Sequence, residues 1–229
     1  FHAAIFPGML LSAGLELPKE IFIHGFVNVD GQKISKTVGN VIAPRSVINK
    51  YGVDAVRYFF LREFPSHEDG DFSYKKLEER YNGDLANGLG NLVSRVATLI
   101  ENNMNGELIC ESQKSKVKSQ KSENYHKDIK EFRLHDALGE IWKIIADANK
   151  YIDERKPWIE LKENPEHFLE TMTTLVIIIH HVAWLLQPFL PETSDKIAQI
   201  FGDDLSNREI PDKYHFIVKK GEPLFPRIS

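Results

Sequence analysis

The chain has 229 residues, of which 42% are hydrophobic and 27% are charged, and its formal net charge at pH 7 is -4. These values are typical of a soluble globular protein with one large or two small domains, and they argue against a protein that coats nucleic acid through an overall basic surface. The single cysteine, Cys110, excludes an internal disulfide framework and fits a reducing compartment.

Residues 1–65 carry alternating helix and strand signals, which is typical of the end of an α/β domain. The pattern predicts an amphipathic helix over residues 1–13 that starts without a capping residue, so we expect the chain to be a fragment of a longer protein. β-Branched and aromatic residues predict a strand over residues 21–29, and Asp30–Gly31 predicts a tight reversal after it. A helix over residues 44–62 is predicted to break at Gly52.

Residues 66–229 are dominated by helical periodicity. The pattern predicts one helix from the N-cap Ser73 to about residue 101 and three more over residues 132–152, 165–187 and 191–202, with an exposed loop at residues 112–122. Short connections between such helices predict an antiparallel bundle. The apolar run at residues 175–190 is interrupted by polar side chains and is too short for a membrane span, so it predicts a buried bundle helix. The predicted fold is mainly α, with the end of an α/β domain before the bundle.

A pair of lysines follows the predicted strand and turn, in the pentapeptide that runs from Lys33 to Thr37. Lys33 and Lys36 are three residues apart and Ser35 lies between them. Two ammonium groups on a short loop can stabilise the negative charge that grows on a pyrophosphate leaving group. The pattern alone is weak, because most short lysine and serine motifs are solvated surface.

A polar stripe is predicted on the helix after Ser73. Asn87, Asn91 and Arg95 follow one another at intervals of four residues, so they share one helix face, opposite an apolar face. Such a stripe is the ordinary pattern of a surface helix, but amide and guanidinium groups can also read the edges of single-stranded RNA bases.

Trp158 directly follows Pro157, in a charged segment after the helix predicted at residues 132–152. An exposed tryptophan there could stack on a base, with a contribution of about 1–3 kcal/mol per base. The alternative, a tryptophan that caps the bundle core, is equally compatible with the sequence.

Three segments together resemble the methionyl-tRNA synthetase family of class I aminoacyl-tRNA synthetases. Residues 22–40 resemble the strand, turn and KMSKS loop of that family, with Ile34 and Thr37 in place of the usual methionine and final serine. Residues 91–95 and 151–158 resemble its two anticodon-reading segments. Residues 1–7 resemble its methionine-pocket helix, although Phe6 stands where the family usually has tryptophan. The resemblance extends from residue 1 to about residue 201.

The resemblance implies a role for eleven residues. It assigns catalysis to Lys33 and Lys36, ATP binding to Lys33, Lys36, Ser35, His24 and Gly25, methionine binding to Phe1, His2 and Phe6, and anticodon binding to Asn91, Arg95 and Trp158. The implied fold is the end of a Rossmann-type catalytic domain, residues 1–65, followed by a helical-bundle anticodon-binding domain, residues 66–229.

The implied activity is that of a cytoplasmic methionine–tRNA ligase. Its partners would be ATP with Mg²⁺, methionine and tRNA(Met), with no membrane, and the sequence gives no indication of oligomeric state. The family's second ATP-binding element, an HIGH-like sequence, is absent from these residues, so we expect this fragment to be inactive alone. No metal site is predicted in the chain, because its histidines and single cysteine lack zinc-ligand spacing; the zinc knuckle of some family members would precede residue 1.

Two other interpretations remain open from the sequence. One is a stand-alone RNA-binding helical module without catalysis. The other is a class I synthetase that activates an amino acid other than methionine.

Overall fold

The computed structural model describes residues 1–35, 37, 39–111, 123–207 and 213–228. The described α-helices are α1 (Ile5–Ser12), α2 (Pro44–Tyr51), α3 (Val53–Glu63), α4 (Tyr74–Arg80), α5 (Asn91–Asn103), α6 (Glu123–Lys130), α7 (Leu134–Arg155), α8 (Pro157–Glu163), α9 (Pro165–Leu186) and α10 (Pro191–Phe201). A π-helix, Tyr81–Gly90, joins α4 to α5. The described strands are β1 (Val27–Val29), β2 (Gln32–Lys33), β3 (Gly70–Phe72), β4 (Glu107–Glu111) and β5 (Lys213–Ile217).

The predicted turn at Asp30–Gly31 closes a hairpin between β1 and β2. Both residues have positive φ angles, 49° and 74°, as a turn of type I′ requires. The predicted strand over residues 21–29 was too long, because β1 covers only Val27–Val29. Its parallel partner, β3, begins only at Gly70. Phe26, the residue before β1, donates its backbone N–H to the side chain of Asp69 and not to a strand.

The helix predicted over residues 44–62 breaks at Gly52 as expected. Pro44 opens α2, where its missing N–H and fixed φ are tolerated, and Gly52 separates α2 from α3 with a φ of 85°. Ser73 is the predicted N-cap of α4, and its Oγ accepts a hydrogen bond from the Lys76 N–H at 3.2 Å.

The bundle is organised around α9, which packs against α5, α7, α8 and α10. α9 is long and apolar enough to cross a membrane, but 61% of its most apolar window is buried inside the protein. The predicted burial in the bundle is therefore confirmed, whereas the expectation that the segment is too short for a span was wrong, because the helix begins at Pro165 and has 22 residues.

Several elements were not predicted. α6 and α8 are short helices next to the longer ones, and β4 and β5 form a separate antiparallel pair at the end of α5. β1, which precedes residue 65, pairs with β3, which follows it. The domain boundary placed at residue 65 therefore remains a prediction. The loop predicted at residues 112–122 lies outside the described residues.

Candidate functional sites

The lysine loop after β2 is closed by one amide side chain. Asn40 Oδ1 accepts from the Ser35 N–H at 2.8 Å, and Asn40 Nδ2 donates to the Lys33 carbonyl at 3.1 Å. Thr37 N–H donates to Ser35 Oγ at 3.2 Å. These bonds bring the two ends of the loop together and leave Lys33 on the surface. Lys36, the second predicted catalytic lysine, lies outside the described residues.

The segment before β1 carries the other predicted nucleotide contacts. His24 is exposed, and its Nδ1 lies 2.8 Å from the Gly25 carbonyl oxygen. A Cβ added to Gly25 would lie 2.0 Å from the Glu68 carbonyl oxygen, so only glycine fits there. The Lys33 ammonium lies 5.9 Å from the centre of the Phe26 ring, within range of a cation–π contact. The chain thus brings the Lys33 ammonium next to the Phe26 ring, one residue after Gly25.

The three residues predicted to contact methionine lie in or before α1. Phe1 is 96% exposed, Phe6 is 50% exposed, and His2 is exposed as well. No residue of α1 is buried against the described part of the chain. These side chains therefore do not enclose a pocket among the described residues.

The predicted polar stripe lies on the surface of the π-helix and α5. Asn91 is exposed. Arg95 Nη2 donates to Asp153 Oδ1 at 2.7 Å, and Arg227 Nη2 donates to Asn87 Oδ1 at 2.5 Å. The opposite face is buried as predicted, with 0% exposure at Leu85, Leu89, Leu92 and Val96.

Trp158 is half-exposed, with 46% of its surface accessible. It follows a sharp turn in which Lys156 adopts the left-handed conformation, with φ 50° and ψ 61°, and Pro157 opens α8. The side chain therefore does not cap the bundle core. Asp153, which holds Arg95, lies in the last turn of α7, so the segments 91–95 and 151–158 meet on one surface.

A partly buried polar junction connects α3 to the π-helix. The Tyr58 hydroxyl donates to Asp84 Oδ2 at 2.7 Å, and Arg80 bridges Asp84 and Glu63 at 3.1 and 2.9 Å. The Tyr58 ring lies 4.3 Å, between centroids, from the Trp142 ring of α7. Burial, and then the adjacent Asp84 carboxylate, raise the pKa of the Tyr58 hydroxyl far above its usual value. This junction fixes the stripe-bearing helix relative to the segment that follows the lysine loop.

Sequence reasoning missed Asp153, Arg227 and Asn40. Asp153 and Arg227 lie 58 and 140 positions from the side chains that they contact, and no local pattern indicates such a partner. Asn40 follows Gly39 just after the lysine loop, and such a pair is a turn signal that could have indicated a loop closure. Among the described residues, no three His, Cys, Asp or Glu side chains come together as a group that could hold a metal ion.

Two family models match this chain. Residues 1–97 match the model described as tRNA synthetases class I (M). Residues 105–221, about half of the chain, match the anticodon binding domain of methionyl tRNA ligase.

Two curated relatives of this chain are methionine–tRNA ligases. The methionine–tRNA ligase of Thermotoga maritima is 39% identical over an alignment that covers 100% of this chain and 39% of the relative. For that of Clostridium acetobutylicum the identity is 40%, and the alignment covers 100% of this chain and 38% of the relative. The chain thus spans about two fifths of the length of these curated relatives.

Solved structures agree with the family models. Mycobacterium tuberculosis methionyl-tRNA synthetase in complex with methionyl-adenylate superposes with a TM-score of 0.88 and 33% identity, over 99% of this chain and 48% of that one. The likeness confirms the predicted fold, the end of a Rossmann-type domain followed by a helical anticodon-binding domain. The chain therefore belongs to the methionyl-tRNA ligase family and contains its anticodon binding domain.

Proposed function

We propose that this chain supplies the lysine loop and the anticodon-reading domain of a methionine–tRNA ligase, which activates methionine with ATP and transfers it to tRNA(Met). The observation that carries the proposal is the ion pair between Arg95 and Asp153, which joins the segment 91–95 to the segment 151–158, in which Trp158 is half-exposed. The family models and the adenylate complex of the tuberculosis relative support the same reaction.

The surface formed by Asn91, Arg95 and Trp158, here called the anticodon face, has the chemistry for unstacked bases. Trp158 offers an aromatic plane on which any base can stack. Asn91 offers both a donor and an acceptor, and Arg95 offers a planar fork of donors. Because Asp153 takes one of those donors, it orients the guanidinium and leaves other N–H groups for RNA. The face therefore combines a sequence-tolerant contact with groups that read base edges.

In the proposed activation step, Lys33 and Lys36 hold the phosphates of ATP as negative charge develops on the leaving pyrophosphate. Ser35, His24 and Gly25 lie along the nucleotide, and Mg²⁺ arrives bound to ATP. The absence of a side chain at Gly25 lets the backbone before β1 lie close to the backbone of Glu68. Phe1, His2 and Phe6 form part of the methionine pocket, since aromatic rings favour contact with a thioether sulfur.

Residues 1–65 belong to the catalytic side and residues 66–229 to RNA binding. The enzyme acts in the cytoplasm, where protein synthesis takes place and where a single cysteine stays reduced. A zinc site, where the enzyme has one, lies outside this chain.

The test is binding of an anticodon stem-loop with the sequence CAU to the 229-residue chain. Trp158→Ala should weaken binding about 5- to 150-fold, which corresponds to a stacking contribution of about 1–3 kcal/mol. Ile159→Ala is the matched control, because Ile159 is the next residue of α8 and is 40% exposed. Equal affinity of the wild type and the Trp158 variant, or equal loss in both variants, would refute the anticodon face.

A further inference from the structure

We propose that Arg155, Glu160 and Thr171 are positioning residues that fix the direction in which Trp158 meets RNA. These three residues are called the Arg155 clamp below. The inference rests on the proposed function, since it concerns how the anticodon face is held in place. None of the three side chains is assigned to RNA contact.

The Arg155 clamp joins three helices around the turn that carries Trp158. Arg155 ends α7, Glu160 lies in the first turn of α8, and Thr171 belongs to α9. Arg155 Nε lies 3.0 Å from Thr171 Oγ1 and 2.8 Å from Glu160 Oε1. Thr171 Oγ1 in turn donates to Glu160 Oε2 at 2.8 Å, so both carboxylate oxygens are engaged and the contacts form a closed ring.

The clamp is more buried than ordinary surface ion pairs. Thr171 is fully buried, and the Glu160 and Arg155 side chains are 12% and 30% exposed. Arg155 Nη2 is buried without a hydrogen-bond partner among the described residues. Removing charges from water costs free energy that such pairs often fail to recover, so a buried ion pair is poor evidence of a gain in stability. The better explanation for the ion pair between Arg155 and Glu160 is that it fixes one geometry of the turn.

The backbone at the turn needs such support. Lys156 adopts a left-handed conformation that is unfavourable for a residue with a side chain, and it persists only where the surroundings enforce it. α8 has seven residues, too few for a helix to be stable without tertiary contacts. Because Trp158 is half-exposed, burial of its own ring does not fix it either. The clamp spans this turn, with Arg155 three residues before Trp158 and Glu160 two residues after it.

The test removes one hydroxyl and keeps the rest of the clamp. Thr171→Val should weaken binding of the CAU stem-loop about 2- to 12-fold, the range that corresponds to loss of one hydrogen bond. Thr171→Ser keeps the hydroxyl and should bind as the wild type does. Should Thr171→Val fail to fold, Glu160→Gln takes its place and should likewise weaken binding of the CAU stem-loop.

A second measurement, the ¹⁹F resonance of Trp158, would not change if the clamp contributed to stability alone. The chain has three tryptophans, so a chain labelled with 5-fluorotryptophan gives three ¹⁹F resonances, and Trp158→Phe identifies the one from Trp158. We expect Thr171→Val to shift or broaden that resonance in the protein without RNA.

The matched control is Thr193→Val, which removes another buried threonine hydroxyl, one that donates to Asp54 at 2.7 Å in α3. It should lower thermal stability but leave RNA affinity and the Trp158 resonance unchanged. Equal losses of affinity in the Thr193 and Thr171 variants would overturn the clamp, because the effect would then follow stability alone.

The outcomes separate the two proposals. Normal binding and an unchanged resonance in Thr171→Val, together with weak binding in Trp158→Ala, would overturn the clamp and leave the anticodon face intact. Normal binding in Trp158→Ala would overturn both.

Discussion

Replacing Tyr58 with phenylalanine removes one hydroxyl from the partly buried junction of α3, the π-helix and α7. The hydroxyl donates to Asp84 Oδ2 at 2.7 Å, and the Tyr58 side chain is fully buried. A hydrogen bond to a charged group contributes about 1.5–3 kcal/mol to stability. The Asp84 side chain is 26% exposed and keeps its ion pair with Arg80, so water and the guanidinium compensate in part. We therefore expect Tyr58→Phe to lower the free energy of unfolding by about 1.5 kcal/mol, the lower end of that range.

Urea unfolding measures this loss, and Tyr51→Phe is the matched control. The Tyr51 hydroxyl donates to Glu78 Oε1 at 2.6 Å, a shorter bond than that of Tyr58, but the Glu78 side chain is 37% exposed and also pairs with Lys50. The hydrogen bond from Tyr51, and then that from Lys50, lower the pKa of the Glu78 carboxyl. Because water can replace the lost bond at Glu78, the control should lose clearly less stability than Tyr58→Phe.

The comparison tests whether burial, rather than bond length, determines the cost. A loss in Tyr58→Phe below about 0.5 kcal/mol, the lower limit for an ordinary hydrogen bond, would refute the reasoning. An equal or larger loss in Tyr51→Phe would refute it as well.

Three further outcomes are expected. Gly25→Ala should lower the free energy of unfolding by about 1–3 kcal/mol, since the new Cβ would overlap the Glu68 carbonyl; Gly8→Ala, with no atom within 4 Å of its Cβ, is the control, and equal urea midpoints would contradict the clash. The lowered pKa of Glu78 contributes stability that is fully present above its ordinary value of 4.5 and is lost as the pH falls through the folded-state value. Glu78→Gln should therefore make the urea midpoint fall less steeply as the pH is lowered through this range. An unchanged pH dependence of the midpoint would contradict the assignment. In the full-length gene product, Lys33→Ala should slow ATP–pyrophosphate exchange with little change in methionine affinity, because its contact strengthens in the transition state; an unchanged rate would remove Lys33 from catalysis.

Local features were predictable because their cause lies in neighbouring residues. The turn at Asp30–Gly31, the cap at Ser73 and the break at Gly52 each follow from the backbone preference or hydrogen bonding of one or two residues. The bundle helices were predictable because their apolar spacing repeats over many turns. Their ends depend on features such as the left-handed conformation of Lys156, which ends α7 beyond the predicted residue 152.

Features that depend on distant residues were not predictable. β4 and β5 pair across about a hundred positions, and neither strand has a strong pattern of its own. The predicted strand over residues 21–29 was too long because its partner contributes only three residues. The candidate site follows the same rule. The family resemblance implied roles for Arg95 and Trp158, but the contact that joins their segments runs through Asp153, which no spacing indicated.

The π-helix between α4 and α5 makes the orientation of the anticodon face sensitive to chain length. It lies directly before Asn91, inside one uninterrupted helical rod, and is fixed at its start by the junction at Asp84. In an α-helix each residue advances the direction of the side chains by about 100°. An insertion or deletion of a single codon in residues 81–90 that preserved the hydrophobic core upstream would therefore turn Asn91 and Arg95 by roughly a quarter of a revolution. In residues 81–90 the protein should therefore tolerate substitutions far better than insertions or deletions.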